Sequence, residues 1–232
     1  MIAGKRRIQN GKQYDNLFPK SQGKNLLIKR DASLNDSVNL IKRVIASTLG
    51  DTKPFSKIVL GRSIRDTAAN LDSFVRNHFQ YEKDKEGVEQ IRRPSRSWTD
   101  RFVGVDCDCG SVFKSSTLVN LGIPHALKIT RYGTSKNYSH IYVIVWAENG
   151  TRICPKTKKK YFTIDFVNDN GFDAEVTPSD FILHDMTYLI KNKTNLSGLP
   201  EERSFGVSYL LGTLAVVSLT LGAYWYINKE NL

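Results

Sequence analysis

Three stretches of the chain repeat apolar residues at the three- and four-residue spacing of an amphipathic helix. They cover about residues 36–49, 64–79 and 107–122. Gly50 follows the first stretch and Gly122 closes the third, which is the usual stop signal for a helix. The pattern therefore predicts three helices in the first half of the chain.

Three later stretches are rich in β-branched and aromatic residues, and the second and third alternate between two faces as strands do. They cover residues 125–132, 138–147 and 160–167. A short helix is predicted over residues 179–190, because Pro178 follows a threonine that can cap it. Helices come first and strands follow together, so the order predicts an α+β fold with an antiparallel sheet.

The most apolar part of the chain is residues 205–227, a stretch of 23 residues without a charge. Such a stretch is long enough to cross a hydrocarbon core of ~30 Å. The aromatic residues 224–226 would then lie in the interface, and the excess of basic residues before the stretch predicts that the main domain is cytoplasmic. The alternative is a buried helix of a soluble core.

These patterns predict five parts along the chain. Residues 1–33 form a basic, partly disordered arm, and residues 34–192 form the main domain. Residues 193–204 are a polar linker, residues 205–227 the single membrane-spanning helix, and residues 228–232 a short tail. The boundaries follow the changes in apolar content and charge.

The net charge of +11 is unevenly distributed. Residues 1–30 contain eight basic residues against the single acid Asp15, and four lysines fall within residues 156–160. Such charge favours an anionic partner, either nucleic acid or phospholipid headgroups, for the arm. No nucleic-acid motif accompanies the charge, and solubility alone is the alternative explanation.

The three cysteines are Cys107, Cys109 and Cys154. An odd number argues against a disulfide framework, and the absence of an N-terminal apolar run argues against a secretory signal. We therefore expect a reducing compartment. Cys107 and Cys109 lack the spacing and the second pair of a structural zinc site, so we expect no metal and no other cofactor.

Three residues have the types and positions of a thiol catalytic triad. Cys107 stands at the start of a helix, where free N–H groups stabilise a thiolate. His140 opens a strand and suits a general base. Asp165 is a carboxylate in an apolar strand, which is unfavourable unless it is paired, and an antiparallel neighbour would place it beside His140. The alternatives are a small buried cysteine and an ordinary sheet histidine.

The order and spacing of these residues resemble the transglutaminase-like superfamily in its bacterial or phage-associated members. The matching motifs are GVDCDC at 104–109, GIP at 122–124, SHIYV at 139–143, TID at 163–165, and the upstream RRP at 92–94 with Trp98. The resemblance covers about residues 64–169. It implies a papain-type core in which Cys107, His140 and Asp165 form the catalytic triad.

The chain departs from that pattern at Cys109 and Gly110, where many members have an acidic and then an aromatic residue. A glycine at this point makes the start of the helix more flexible. We take Trp98 and Asp108 as candidate substrate-binding residues, with a packing role as the alternative for Trp98. The backbone N–H of Cys107 is a candidate donor to an oxyanion.

Two functions fit these expectations. The first is a membrane-anchored cysteine peptidase or amidase that acts on a peptide or protein through an acyl-enzyme, with hydrolysis favoured over transamidation. The second is a catalytically weak or inactive membrane-anchored structural or virion component that uses the fold as a binding module. Both place the chain in a membrane through residues 205–227, which would be a virion membrane if the chain is phage-encoded.

Overall fold

The computed structural model describes residues 5–21, 26–85 and 87–196, and these residues form an α+β fold. The helices are α1 (Leu34–Ser47), α2 (Lys53–Val59), α3 (Ile64–His78), α4 (Pro94–Thr99), α5 (Cys107–Leu121) and α6 (Thr187–Leu196). The strands are β1 (Leu26–Arg30), β2 (Val88–Arg92), β3 (His125–Arg131), β4 (His140–Trp146), β5 (Arg152–Ile153), β6 (Lys160–Ile164) and β7 (Asp180–Asp185).

The larger sheet has five strands in the order β5-β6-β4-β3-β7, and all neighbouring strands are antiparallel. The central strand β4 pairs through Val143 with Leu127 of β3 and with Ile164 of β6. β1 and β2 form a separate two-stranded antiparallel sheet. Every residue of β4 after His140 is buried. Helix α5 packs on the strand, and Tyr142, Ile144 and Trp146 of the strand belong to a buried hydrophobic cluster.

Helix α5 is the central helix of the fold, and all its residues from 108 to 119 are buried. Asp106 caps its start by accepting a hydrogen bond from the N–H of Cys109 at 3.2 Å. Gly122 ends it with a φ of 70°, a left-handed conformation that glycine adopts without strain. The predicted helix over residues 107–122 is thus confirmed.

The two other helices predicted in the first half are α1 and α3, and the three predicted strands are β3, β4 and β6. The helix predicted over residues 179–190 is wrong. Residues 180–185 instead form β7, which pairs with β3, and α6 begins at Thr187. An unpaired edge of the buried strand β3 would leave its backbone N–H and C=O groups without partners, and β7 satisfies them.

Residues 5–21 of the basic, partly disordered arm predicted over residues 1–33 make defined contacts with Trp98. Asp15 accepts a hydrogen bond from Nε1 of Trp98 at 2.9 Å, and the buried ring of Phe18 stacks on Trp98 with centroids 4.7 Å apart. These residues therefore belong to the folded body of the chain. An anionic partner for this basic segment stays a prediction.

Among the described residues, no helix is long and apolar enough to span a bilayer. The predicted membrane helix at residues 205–227 and the tail at 228–232 lie outside the described residues. Helix α6 continues to Leu196, which is within the predicted linker at 193–204.

Candidate active site

Cys107 is the first residue of α5 and lies partly exposed in a cleft of about 570 Å³. The chain reaches it through Val105, which forms a parallel bridge with Tyr81. This bridge fixes the direction from which the backbone enters the helix. The thiol therefore lies where the N–H groups and the positive end of the helix dipole meet the cleft.

His140 and Asp165 are joined by a hydrogen bond of 2.8 Å between Nε2 and Oδ2. Asp165 follows β6 by one residue, and continuing the register places it opposite Tyr142 and diagonal to His140. Its other oxygen, Oδ1, accepts from the N–H of Val167 at 3.1 Å. Asp165 occupies Nε2 of His140, so Nδ1 is the histidine nitrogen left for the thiol.

His140 and Asp165 each stabilise the charged form of the other. Burial disfavours the imidazolium, but hydrogen bonds and charges from Asp165 and Cys107 outweigh it and raise the pKa of His140 to about 10. Burial also opposes ionisation of Asp165, yet the hydrogen bond and charge of His140, with Lys114 nearby, lower its pKa. At neutral pH the pair is therefore imidazolium and carboxylate, and an imidazolium beside a cysteine favours a thiolate.

Ser111, which the sequence analysis missed, joins the two elements of the site. Its buried hydroxyl lies 2.8 Å from the carbonyl oxygen of Cys107 and 3.3 Å from that of Ile141. The first contact is within α5 and the second reaches β4 next to His140. The sequence offered one signal for Ser111, because it lies four residues after Cys107 and therefore on the same face of the helix.

The sequence analysis also missed two cationic side chains, Arg76 and Lys114, which contact the backbone at Asp165 and Ile164. Arg76 of α3 donates to the carbonyl oxygens of Asp165 and Asn168, and to that of Gly171 at 3.1 Å. Lys114 of α5 is completely buried. A lysine seven residues after Cys107, among apolar neighbours, was the signal for the second cation.

The cleft wall beside Cys107 is acidic, with Asp84, Glu89, Asp106 and Asp108 among its lining residues. Burial and the neighbouring Cys109 and Asp106 raise the pKa of Asp108. Its Oδ1 atom has no hydrogen-bond partner in the part of the chain that the structure describes. Burial and Asp106 raise the pKa of Asp84 to about 7. Asp108 thus lines the cleft, and its role in substrate binding stays a prediction.

Within the described residues, Asp106, Asp108 and Cys109 offer ligand atoms that lie within 4.8 Å of one another and could hold a metal ion. The sulfur of Cys109 already has two hydrogen-bond partners. It donates to the Gln90 carbonyl oxygen at 3.0 Å and accepts from the backbone N–H of Arg92 at 3.3 Å. Burial raises the pKa of the Cys109 thiol, which disfavours the thiolate that a metal requires. Cys109 is therefore a buried neighbour of Cys107.

Trp98, the other candidate substrate-binding residue, is not among the residues that line this cleft. Trp98 is only 3% exposed and stacks on Phe18 and on Phe74, whose centroid lies 5.6 Å away. Its indole N–H is used by Asp15. Trp98 is a packing anchor, because its ring completes an aromatic core.

No family model and no curated protein matches the chain. Among solved structures, the chain is similar to Legionella pneumophila LapG in an EGTA-treated form, with 16% sequence identity and a TM-score of 0.36. The similarity covers 69% of this chain and 96% of the LapG chain. A likeness at this TM-score assigns no family to the chain.

Proposed function

We propose that the chain is a transglutaminase-like thiol enzyme, a cysteine peptidase or amidase that works through a covalent acyl-enzyme. The observation that supports this best is the 2.8 Å hydrogen bond between His140 and Asp165, with Cys107 close enough to the same imidazole to help raise its pKa. The nucleophile stands at the start of a buried helix that packs on an antiparallel sheet, as expected for this type of fold.

In this proposal the sulfur of Cys107 attacks the carbonyl carbon of the scissile amide. Cys107 attacks as the thiolate, and His140, already an imidazolium, gives its Nδ1 proton to the nitrogen of the leaving amine as the C–N bond breaks. Asp165 holds Nε2–H throughout and stabilises the positive ring. Water then attacks the thioester and His140 accepts its proton, and the C–S bond breaks to release the acid product and restore the thiolate.

The oxyanion of each tetrahedral intermediate needs donors close to Cys107. The backbone N–H of Cys107 belongs to the first turn of α5 and has no partner within the helix. A donor of this kind contributes roughly 10²–10³ in kcat. The same helix end thus supports both the thiolate and the oxyanion.

The reactivity of Cys107 tests the proposal. Cys109 and Cys154 are buried, so exposure alone would favour labelling of Cys107, and the informative quantity is the dependence of its rate on His140. We expect His140→Ala to slow alkylation of Cys107 by iodoacetamide at pH 7 by about 10²-fold. His184→Ala, which changes a histidine on β7, serves as the matched control and should leave the rate unchanged.

Acyl transfer is measured separately with p-nitrophenyl acetate. The full-length protein should release one nitrophenolate per chain in a fast phase, and Cys107→Ser should remove that phase. A Cys107 that reacts equally fast with and without His140 would contradict the enzyme and favour the binding module.

We also propose that residues 205–227 anchor the chain in a bilayer with the main domain on the cytoplasmic side. The support is the uncharged length of this segment. The full chain should resist alkaline carbonate extraction from membranes. Leu214→Lys combined with Val217→Lys should release it, since each charge at mid-membrane opposes insertion by roughly 3 kcal/mol. Equal retention of both chains would contradict the anchor.

A further inference from the structure

Lys114 lies behind the carboxylate of the triad, and the proposed mechanism leaves it without a role. The helix places Cys107, Ser111 and Lys114 four and three residues apart, which puts them on one face of α5. The side chain of Lys114 is completely buried. Burial of an ammonium is strongly unfavourable unless nearby groups compensate it, so its surroundings indicate its purpose.

The ammonium of Lys114 contacts the residues on both sides of Asp165. Nζ donates a hydrogen bond to the carbonyl oxygen of Ile164, the last residue of β6. It also lies 5.2 Å from the centroid of the buried ring of Phe166, within the range of a cation–π contact. Lys114 therefore contacts the chain on both sides of Asp165, the residue that is hydrogen-bonded to His140.

The charges around Lys114 balance only when it is protonated. Asp72, Asp165 and Cys107 are the acidic groups that interact with it, Arg76 is a second cation, and His140 is the cation bonded to Asp165. Arg76 is paired with Asp72, with 2.5 Å between Nε and Oδ2. The other oxygen of Asp72 has no hydrogen-bond partner in the described part of the chain. Without Lys114, the buried group would carry one excess negative charge next to Asp165.

We propose that Lys114 is a positioning residue that keeps Asp165 ionised and correctly placed for His140. This inference rests on the proposed function, because it assigns a further part of the same site. The ammonium does not touch a reacting atom. It acts through the carboxylate of Asp165. Its loss should make both that carboxylate and the thiolate of Cys107 easier to protonate.

The test is the pH dependence of Cys107 alkylation by iodoacetamide in the full-length protein. Lys114→Met should move the acid limb of the profile upward by roughly one pH unit. Lys114→Gln, which keeps a donor for the Ile164 carbonyl but lacks the charge, should move it similarly. Lys114→Arg keeps the charge and should restore the wild-type limb.

Lys128→Met is the matched control. Lys128 is also a buried lysine, but it pairs with Glu175 at 2.7 Å. Its loss should lower stability without moving the limb. A purely structural role for Lys114 would lower the alkylation rate equally at every pH, and an unmoved limb in folded Lys114→Gln overturns the proposal.

Asp72→Asn extends the test to a variant that removes no buried cation. The ammonium of Lys114 is then shared with Asp165 alone, so the acid limb should move downward. An unmoved limb in Asp72→Asn overturns the proposal even if the lysine variants do not fold. Failure of the proposed function is distinguishable, since wild-type alkylation would then show no dependence on His140.

Discussion

Gly110 of α5 lies so close to the ring of Phe166 that no side chain fits between them. A Cβ atom added at Gly110 would lie 2.8 and 2.9 Å from Cδ1 and Cζ of the ring, and closer still to Cε1. Phe166 is 1% exposed and directly follows Asp165. The close approach thus brings the helix that carries Cys107 against the segment that carries Asp165. It gives a packing reason for glycine at this position.

Gly110→Ala should cost about 1–3 kcal/mol in packing, because the buried ring of Phe166 must move. Alanine stabilises a helix by roughly 1 kcal/mol relative to glycine, so the net loss of stability should reach about 2 kcal/mol. Cys107 alkylation should slow as well, since the ring is next to Asp165. Chemical denaturation measures the first effect and iodoacetamide the second.

Ser116→Ala in the same helix is the control for Gly110→Ala. Ser116 is buried and its hydroxyl has no partner among the described residues, so its loss should be nearly neutral. If Gly110→Ala keeps wild-type stability and wild-type Cys107 alkylation, the ring of Phe166 can move without cost and the packing argument is wrong.

Asp165→Asn should slow acylation of Cys107 by roughly 10²–10⁴-fold, because a neutral amide cannot stabilise the imidazolium of His140. The pKa of His140, raised to about 10 in the intact site, should fall with the loss of the Asp165 charge. The imidazolium would then be lost at a lower pH. NMR titration of labelled histidine measures this shift, and Asp169→Asn, an exposed change nearby, should leave it unmoved. An unchanged titration in Asp165→Asn would remove Asp165 from the site.

Arg76→Lys should loosen the segment that follows the triad carboxylate. One ammonium cannot replace a guanidinium that reaches three carbonyl oxygens and Asp72 at once. We expect faster amide exchange in residues 165–171 and a stability loss of about 1–3 kcal/mol. Hydrogen-exchange mass spectrometry resolves the segment. Arg65→Lys on the exposed side of α3 should show neither effect, and equal exchange in both variants would refute the role of Arg76.

His125 should make the stability of the fold depend on pH. It is completely buried, with Nε2 2.7 Å from the Ser115 hydroxyl and Nδ1 2.8 Å from the carbonyl oxygen of Ile123. Burial lowers its pKa to about 4. The unfolded chain takes up a proton near pH 6.5 that the folded chain refuses, so stability falls as the pH drops from about 6.5 to about 4.

The difference in unfolding free energy between wild type and His125→Gln isolates this effect. The wild type should lose about 3 kcal/mol relative to the variant between pH 7 and pH 4. Urea titrations at four or five pH values are sufficient. A constant difference across this range would mean that His125 has the same pKa in the folded and unfolded chain.

The periodic elements were predictable because their signals are local. α3 begins where Ser63 accepts a hydrogen bond from the N–H of Asp66, a cap between residues only three apart in the chain. Cys107 and His140 could be chosen because each stands at the boundary of a periodic element. Asp165 could be chosen because a carboxylate in an apolar run requires a partner.

Other features depend on residues far apart in the chain. β7 forms because β3 has an edge to pair, and Phe18 is buried because Trp98 and Phe55 lie across from it. Neither contact has a local signal, since pairing and burial depend on which distant surfaces meet.

The sequence by itself determined the α+β class, the strongly periodic helices and strands, and the residue types of the Cys-His-Asp group. Their spacing along the chain was sufficient, because capping and periodicity act between near neighbours. Only the tertiary structure decided that Trp98 is a core residue, that Gly110 makes room for Phe166, and that Lys114 stands behind Asp165. The last two relationships arise where α5 meets the segment around Asp165, and the charge and volume available there depend on both segments together.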